Sequence, residues 1–144
     1  MKKFFQIIAL FFAVSIFGQT VSDFRYIMIP GIFKNEKANR YDLNDLLLRK
    51  LEEKKYTVLY ENKMSWPKDA LEDPCNILNA ELINVSTLFK NKIQIKLFDC
   101  NGKEISSLEG RSKIKNLELG ARDALENTSK NISPSKAENS KGVR

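Results

Sequence analysis

The chain contains no histidine. That absence removes imidazole as a general base and excludes Ser-His and Cys-His nucleophilic catalysis. Cysteine is nearly as scarce, with two residues, Cys75 and Cys100, 25 positions apart. They do not form a C-x-x-C pair, the usual spacing of a redox centre. A zinc site would need two further soft or imidazole ligands, which the chain does not hold. The 6 glycines build no phosphate-cradling loop, and neither a G-x-S-x-G elbow nor a Walker pattern occurs. Long hydrophobic runs are missing too: the longest, residues 4–17, falls short of the roughly 20 apolar residues that a spanning helix needs. What stays open to an enzyme is Ser-Lys or carboxylate-only chemistry. Glu72 and Asp73 are adjacent, but they sit beside Pro74 and read as loop solvation rather than two converging acids. No catalytic, cofactor-binding or metal-binding residue is therefore expected.

What is present begins with an export signature. Lys2 and Lys3 form a short basic start, residues 4–17 run apolar except for Gln6 and Ser15, and Gly18, Gln19 and Thr20 follow. This order matches a cleaved signal peptide, cut after Gly18 or Thr20. A retained anchor is the competing reading, but the run is short and no basic stop-transfer cluster follows it. No cysteine lies near the cut, so a lipid-modified N-terminal cysteine is not available. The expected division is a signal over 1–18, one α+β domain over 19–132 and a disordered polar tail over 133–144, in a periplasmic or secreted protein.

Export changes the weight of charge and thiols. The formal net charge is +6; Lys2 and Lys3 leave with the signal, and Lys136, Lys141 and Arg144 against Glu138 carry two more in the tail, which leaves the folded part near +2. Its lysines alternate with acids, giving a solvated mixed-charge surface rather than the basic stripe that a nucleic-acid partner requires. In an oxidising compartment an even pair of cysteines reads as a disulfide. Bridging Cys75 to Cys100 would contribute on the order of 3 kcal/mol through loop closure.

Hydropathy patterning reads as β-α-β-β-β-α. Residues 24–29 are apolar on both faces, a central strand stopped by Pro30-Gly31. Residues 40–55 place Leu43, Leu47, Leu48 and Leu51 on one helical face, with Asn39 as N-cap and Lys54 and Lys55 at the negative end. Residues 56–60 form a second strand, parallel to the first by the crossover rule. After a long connection over 61–76, strands at 77–89, 92–99 and 103–108 form a meander. Its turns fall at Lys90-Asn91 and at Asn101-Gly102, the strongest hairpin signal in the chain. Gly110 ends the sheet and Ser112 caps a last helix. Leu117, Ala121, Ala124, Leu125 and Thr128 make that helix's apolar stripe, where Gly120 permits close packing. The simplest assembly is α+β: a single mixed β-sheet with two helices on one face.

Two surfaces are candidates for binding. Strict alternation turns Ile93, Ile95 and Leu97 inward and Lys92, Gln94 and Lys96 outward, onto the face without helices. In the 61–76 connection, Trp66-Pro67 places an amphipathic ring on a segment tethered through Cys75. The alternative is that Trp66 folds back as a lid on the core. Glycosylation sequons begin at Asn84, Asn127 and Asn131, but the first lies inside an expected strand, and in a bacterial chain, which the signal's composition suggests, such matches carry no meaning.

The segments YDLNDLLLRKLEEKKYTVLYEN, KLFDCNGK and EGRSKIKNLELGARDAL, with Cys75 between the first two, resemble a group of small exported proteins of Flavobacteria and related Bacteroidota. The resemblance covers residues 24–128. Its most specific pieces are Tyr41 with Asn44, the Asp99-Cys100-Asn101-Gly102 turn, and Gly110 with Ser112. That group has no assigned activity, so no catalytic residue carries over, and the Trp66-Pro67 segment departs from it. The element order also resembles small periplasmic modules that bind other proteins, an analogy of fold alone. The expected function is a non-catalytic binding module of the envelope, with a small hydrolase using carboxylate or Ser-Lys chemistry as the alternative. The partner implied is a protein or cell-envelope component. Nucleic acid, cofactors and stable membrane insertion after signal cleavage are not expected.

Overall fold

A strand that is apolar on both faces must lie inside the sheet. In the computed structural model, which describes residues 18–34, 36–37 and 39–137, β1 (Tyr26–Met28) is interior, with β2 (Thr57–Leu59) and β3 (Ile77–Asn84) parallel to it on either side. β4 (Asn91–Phe98) and β5 (Glu104–Ser112) continue antiparallel, giving the order β2-β1-β3-β4-β5. Helix α1 (Leu43–Glu53) connects β1 to β2, a short α2 (Lys68–Glu72) precedes β3, and α3 (Leu117–Ser129) follows β5. The fold is thus the expected mixed sheet with two main helices, and α2 is an addition. Residues 1–17 of the expected signal and 138–144 of the expected tail lie outside the described residues.

Helices α1 and α3 pack together on one face. α1 buries Leu43, Leu46, Leu47 and Leu51 at helical spacing, and α3 buries Ala121, Ala124 and Leu125. Ile27, Leu78, Leu82, Ile93, Ile95 and Leu97 meet them from the strands. The pleat sends alternate residues to the opposite face. There Tyr26, Leu59 and Ile77 form a second, smaller core with Ala70 of α2 and the partly buried Met28 and Trp66. The outer face is therefore covered over β2, β1 and the start of β3, and open over the rest of β3 and over β4 and β5.

Several local expectations are corrected. The first helix starts late: Arg40–Asp42 is a 3-10 turn in which Tyr41 and Asp42, like Asn39 before them, take positive φ. Asn39 still serves the helix, its side-chain oxygen accepting from the Asn44 N–H at 3.1 Å. The third strand ends at Asn84 rather than at residue 89. Its tight turn is Leu88-Phe89, not Lys90-Asn91: the Thr87 N–H donates to the Lys90 carbonyl at 2.8 Å. Asn91 is drawn inward, where its amide donates to the Ile114 carbonyl at 2.8 Å and the Asn116 carbonyl at 3.3 Å.

The fifth strand runs on through Gly110 to Ser112. A Cβ on Gly110 would lie 2.3 Å from the Thr128 nitrogen of α3, so this glycine admits a helix rather than ending a strand. Asn116, not Ser112, caps α3, accepting from the Leu119 N–H at 2.9 Å. Ser112 instead donates to Asp123 at 2.6 Å. Leu117 leaves the apolar stripe and is 62% exposed, because the first turn of α3 stands beside the β3–β4 turn rather than over the strands. Residues 133–137, the described start of the expected tail, are hydrogen-bonded to the domain. The Tyr56 hydroxyl donates to the Ser133 carbonyl at 2.6 Å, and the Ser135 and Lys136 N–H groups donate to the Lys54 and Ser22 carbonyls at 2.9 and 2.8 Å.

Candidate functional site

The pleat sets Lys92, Gln94 and Lys96 of β4 in one outward row. Beside them lie Glu81 and Ile83 of β3 and Ser107, Glu109 and Arg111 of β5. Cross-strand bonds knit the row together: Lys92 to Glu109 at 3.0 Å, Lys96 to Glu104 at 3.4 Å, and the Gln94 amide to the Ser107 hydroxyl at 3.2 Å. Arg111 reaches the same Glu109 carboxylate at 3.4 Å. The Lys92 ammonium, helped by Arg111, holds the Glu109 carboxyl below its usual range. Lys92, Gln94 and Lys96 thus share a face, each already engaged. Such exposed pairs add little stability. What they produce is a flat surface of alternating charge without a dominant sign.

Trp66 lies apart from that row, at the edge of the covered half. Its indole N–H donates to the Tyr60 carbonyl, the Lys63 ammonium stands 5.6 Å from the ring centroid, and the ring packs on the second core. That is the lid arrangement. The lid is pinned from below by Tyr26, whose hydroxyl donates to both Asp69 oxygens at 2.7 and 2.9 Å, with Arg25 at 3.6 Å from the same carboxylate. The Tyr26 bond, with Arg25, holds the Asp69 carboxyl below its usual range. Burial, with the Asp69 bond, pushes the Tyr26 phenol up to about 12. Cys75 and Cys100 form a disulfide, Cα atoms 4.8 Å apart, which ties the end of the lid to the β4–β5 turn.

Glu72 and Asp73 do not converge as an acid–base pair. Glu72 pairs with Lys68 at 3.6 Å, and Asp73 accepts from the Cys75 N–H at 3.1 Å, so these acids serve α2 and the turn after it. Ser86 meets Lys92 only through its backbone. Among the described residues no group of three Cys, Asp or Glu could hold a metal ion, and no helix is long and apolar enough to cross a membrane. A cleft of about 250 Å³ beside Thr20 and Ser22 is lined by hydroxyls, amides and apolar groups, with no ionisable side chain.

Sequence reasoning missed the tip of the β3–β4 hairpin, where Leu88 is 98% and Phe89 91% exposed. Hairpin tips ordinarily carry Gly, Asn or Asp. The signal was the alternation over 77–89 itself, which runs into an apolar pair immediately before Lys90 and reads as one long strand.

No family model and no curated protein matches the chain. Among solved structures it is similar to a leucine-to-methionine variant of the PelC dodecamer from Paraburkholderia phytofirmans, at 14% identity and a TM-score of 0.48, over 84% of this chain and 95% of that one. It is likewise similar to the PelC dodecamer from the same organism, at 14% identity and a TM-score of 0.47, over 82% of this chain and 93% of that one.

Proposed function

We propose that this chain is an exported, non-catalytic binding module that meets a protein or cell-envelope partner through the bare half of its outer sheet face. The observation that carries the reading is the division of that face. The Trp66 lid covers β2, β1 and the start of β3 at Ile77, and is tied down by Tyr26–Asp69 and by the disulfide. β4 and β5 are left solvent-facing beside this fixed rim, with Lys92, Gln94 and Lys96 held by their neighbours. Fixed alternating charges favour orientation and discrimination between partners more than raw affinity. Export follows from the N-terminal signature and agrees with the disulfide.

The test is retention from an envelope extract by immobilised mature protein. A Lys92→Glu, Lys96→Glu variant is expected to lose a retained component by at least about tenfold, since two reversed contacts each cost on the order of 1 kcal/mol. Lys50→Glu, on α1, is the control. If no component distinguishes the double variant from the parent, this face is not the partner surface.

A further inference from the structure

The Leu88-Phe89 tip is not part of the sheet face, and it does not stand alone. Asn91, buried at the start of β4, donates to the Ile114 and Asn116 carbonyls and so clamps the hairpin to the segment entering α3. Gly120 leaves the room: a Cβ there would lie 1.9 Å from the Asn91 amide nitrogen. The clamp sets Leu88 and Phe89 beside Ile114 and Leu117 around a cleft of about 210 Å³. Ile114 is 42% and Leu117 62% exposed. Lys90 and Lys115 line this cleft and no carboxylate does. Lys113 precedes Ile114 in the chain. None of Lys90, Lys113 and Lys115 is in a salt bridge among the described residues, whereas Lys92 and Lys96 on the sheet face both are. Glu118 is the nearest acid along α3.

We infer that this tip is a docking site for an anionic bilayer surface, reached reversibly by the folded protein. Apolar side chains at a turn enter the headgroup region without stripping a sheet edge of its hydrogen bonds. Lysines around them keep their ammonium groups at the interface and attract acidic lipid. A second copy of this chain fits less well, because a two-fold contact through the patch would bring both sets of unpaired lysines together. The inference stands apart from the sheet-face reading and leaves that face free for a partner.

The mature chain is sedimented with vesicles of phosphatidylcholine alone and of phosphatidylcholine with phosphatidylglycerol. Binding is expected to the anionic vesicles and to weaken with salt. Lys90→Gln, Lys113→Gln and Lys115→Gln are each expected to weaken it about fivefold. Phe89→Ser is expected to weaken it by at least about tenfold. Both tip residues are exposed, so unchanged circular dichroism should accompany the loss. A Phe89→Trp variant should show blue-shifted emission on the anionic vesicles, quenched by acyl-brominated lipid. Several results would overturn the inference: no binding to either vesicle, equal binding to neutral vesicles, or binding that Phe89→Ser leaves intact. Self-association, or capture of an acidic protein, that needs Phe89 while lipid binding is absent would reassign the patch.

Discussion

Gly110→Ala is the substitution whose cost the fold states most directly. The new methyl carbon would stand 2.3 Å from the Thr128 nitrogen, 2.4 Å from its hydroxyl and 2.6 Å from the Ala124 carbonyl. Two of these are helix backbone atoms. The third belongs to a hydroxyl held by donation to the Ala124 carbonyl at 2.7 Å and the Ile93 carbonyl at 3.1 Å. Ordinary contact would require α3 to retreat by about 1 Å from β5, against close packing on both sides. Overpacking of this kind costs roughly 1–3 kcal/mol. Losing the bond from Thr128 to Ile93 costs about 1 kcal/mol more. Replacing glycine returns about 0.5–1 kcal/mol by restricting the unfolded chain. The net expectation is a loss of about 1–3.5 kcal/mol, seen as a lower urea midpoint with unchanged slope, or as a fall of roughly 4–14 °C in Tm. Gly102→Ala serves as the contrast: φ is +77° and nothing lies within 4 Å, so only backbone strain of about 1 kcal/mol is expected. Stability of Gly110→Ala within about 0.5 kcal/mol of the parent would refute the claim that glycine is what lets α3 seat on β5.

Two further outcomes follow from the covalent and titratable links. Cys75→Ser with Cys100→Ser should lower stability by about 3.5 kcal/mol from loop-closure entropy alone, and the parent's intact mass should rise by two protons on reduction; an unchanged mass would mean free thiols. The Tyr26 and Tyr56 phenols are each raised to about 12, chiefly by burial. Because the folded values lie above the unfolded one, their contribution is complete below pH 10 and fades as pH rises toward 12. Subtracting the ultraviolet titration of Tyr26→Phe from that of the parent should therefore reveal a transition near 12, and a difference transition near 10 would contradict the buried bond to Asp69.

Much of the fold was legible because burial imposes period. The alternation of Ile93, Ile95 and Leu97 with Lys92, Gln94 and Lys96 named both faces of β4, and the leucine spacing named the buried side of α1, except that Leu46 rather than Leu48 completes it. The errors fall where a short-range rule met a long-range contact. Gly110 looks like a strand terminator until α3 is placed above it. Ser112 is a sound cap by type, yet Asp123 takes its hydroxyl and leaves the role to Asn116. Residues 133–137 have a disordered composition, but their bonding partners, Ser22, Phe24, Lys54 and Tyr56, lie far back in the chain. Nothing local announces such partners. The three expected binding residues on β4 were legible as a row. Trp66 was legible only as a choice between lid and ligand site, and its packing on the second core is the lid arrangement.

The sequence by itself determined the layering and supplied the one cysteine pair that is cross-linked. A chain without histidine has no imidazole to offer as base or ligand, and strand and helix periods dictate which side chains meet. Only the tertiary structure decided where the fold is open. Whether an apolar pair such as Leu88-Phe89 is buried depends on what packs over it, and hydropathy records the cost of exposure without recording the neighbour. The clamp of Asn91 on the entry to α3 carries the hairpin past the sheet, so residues that read as the end of a buried strand stand in solvent.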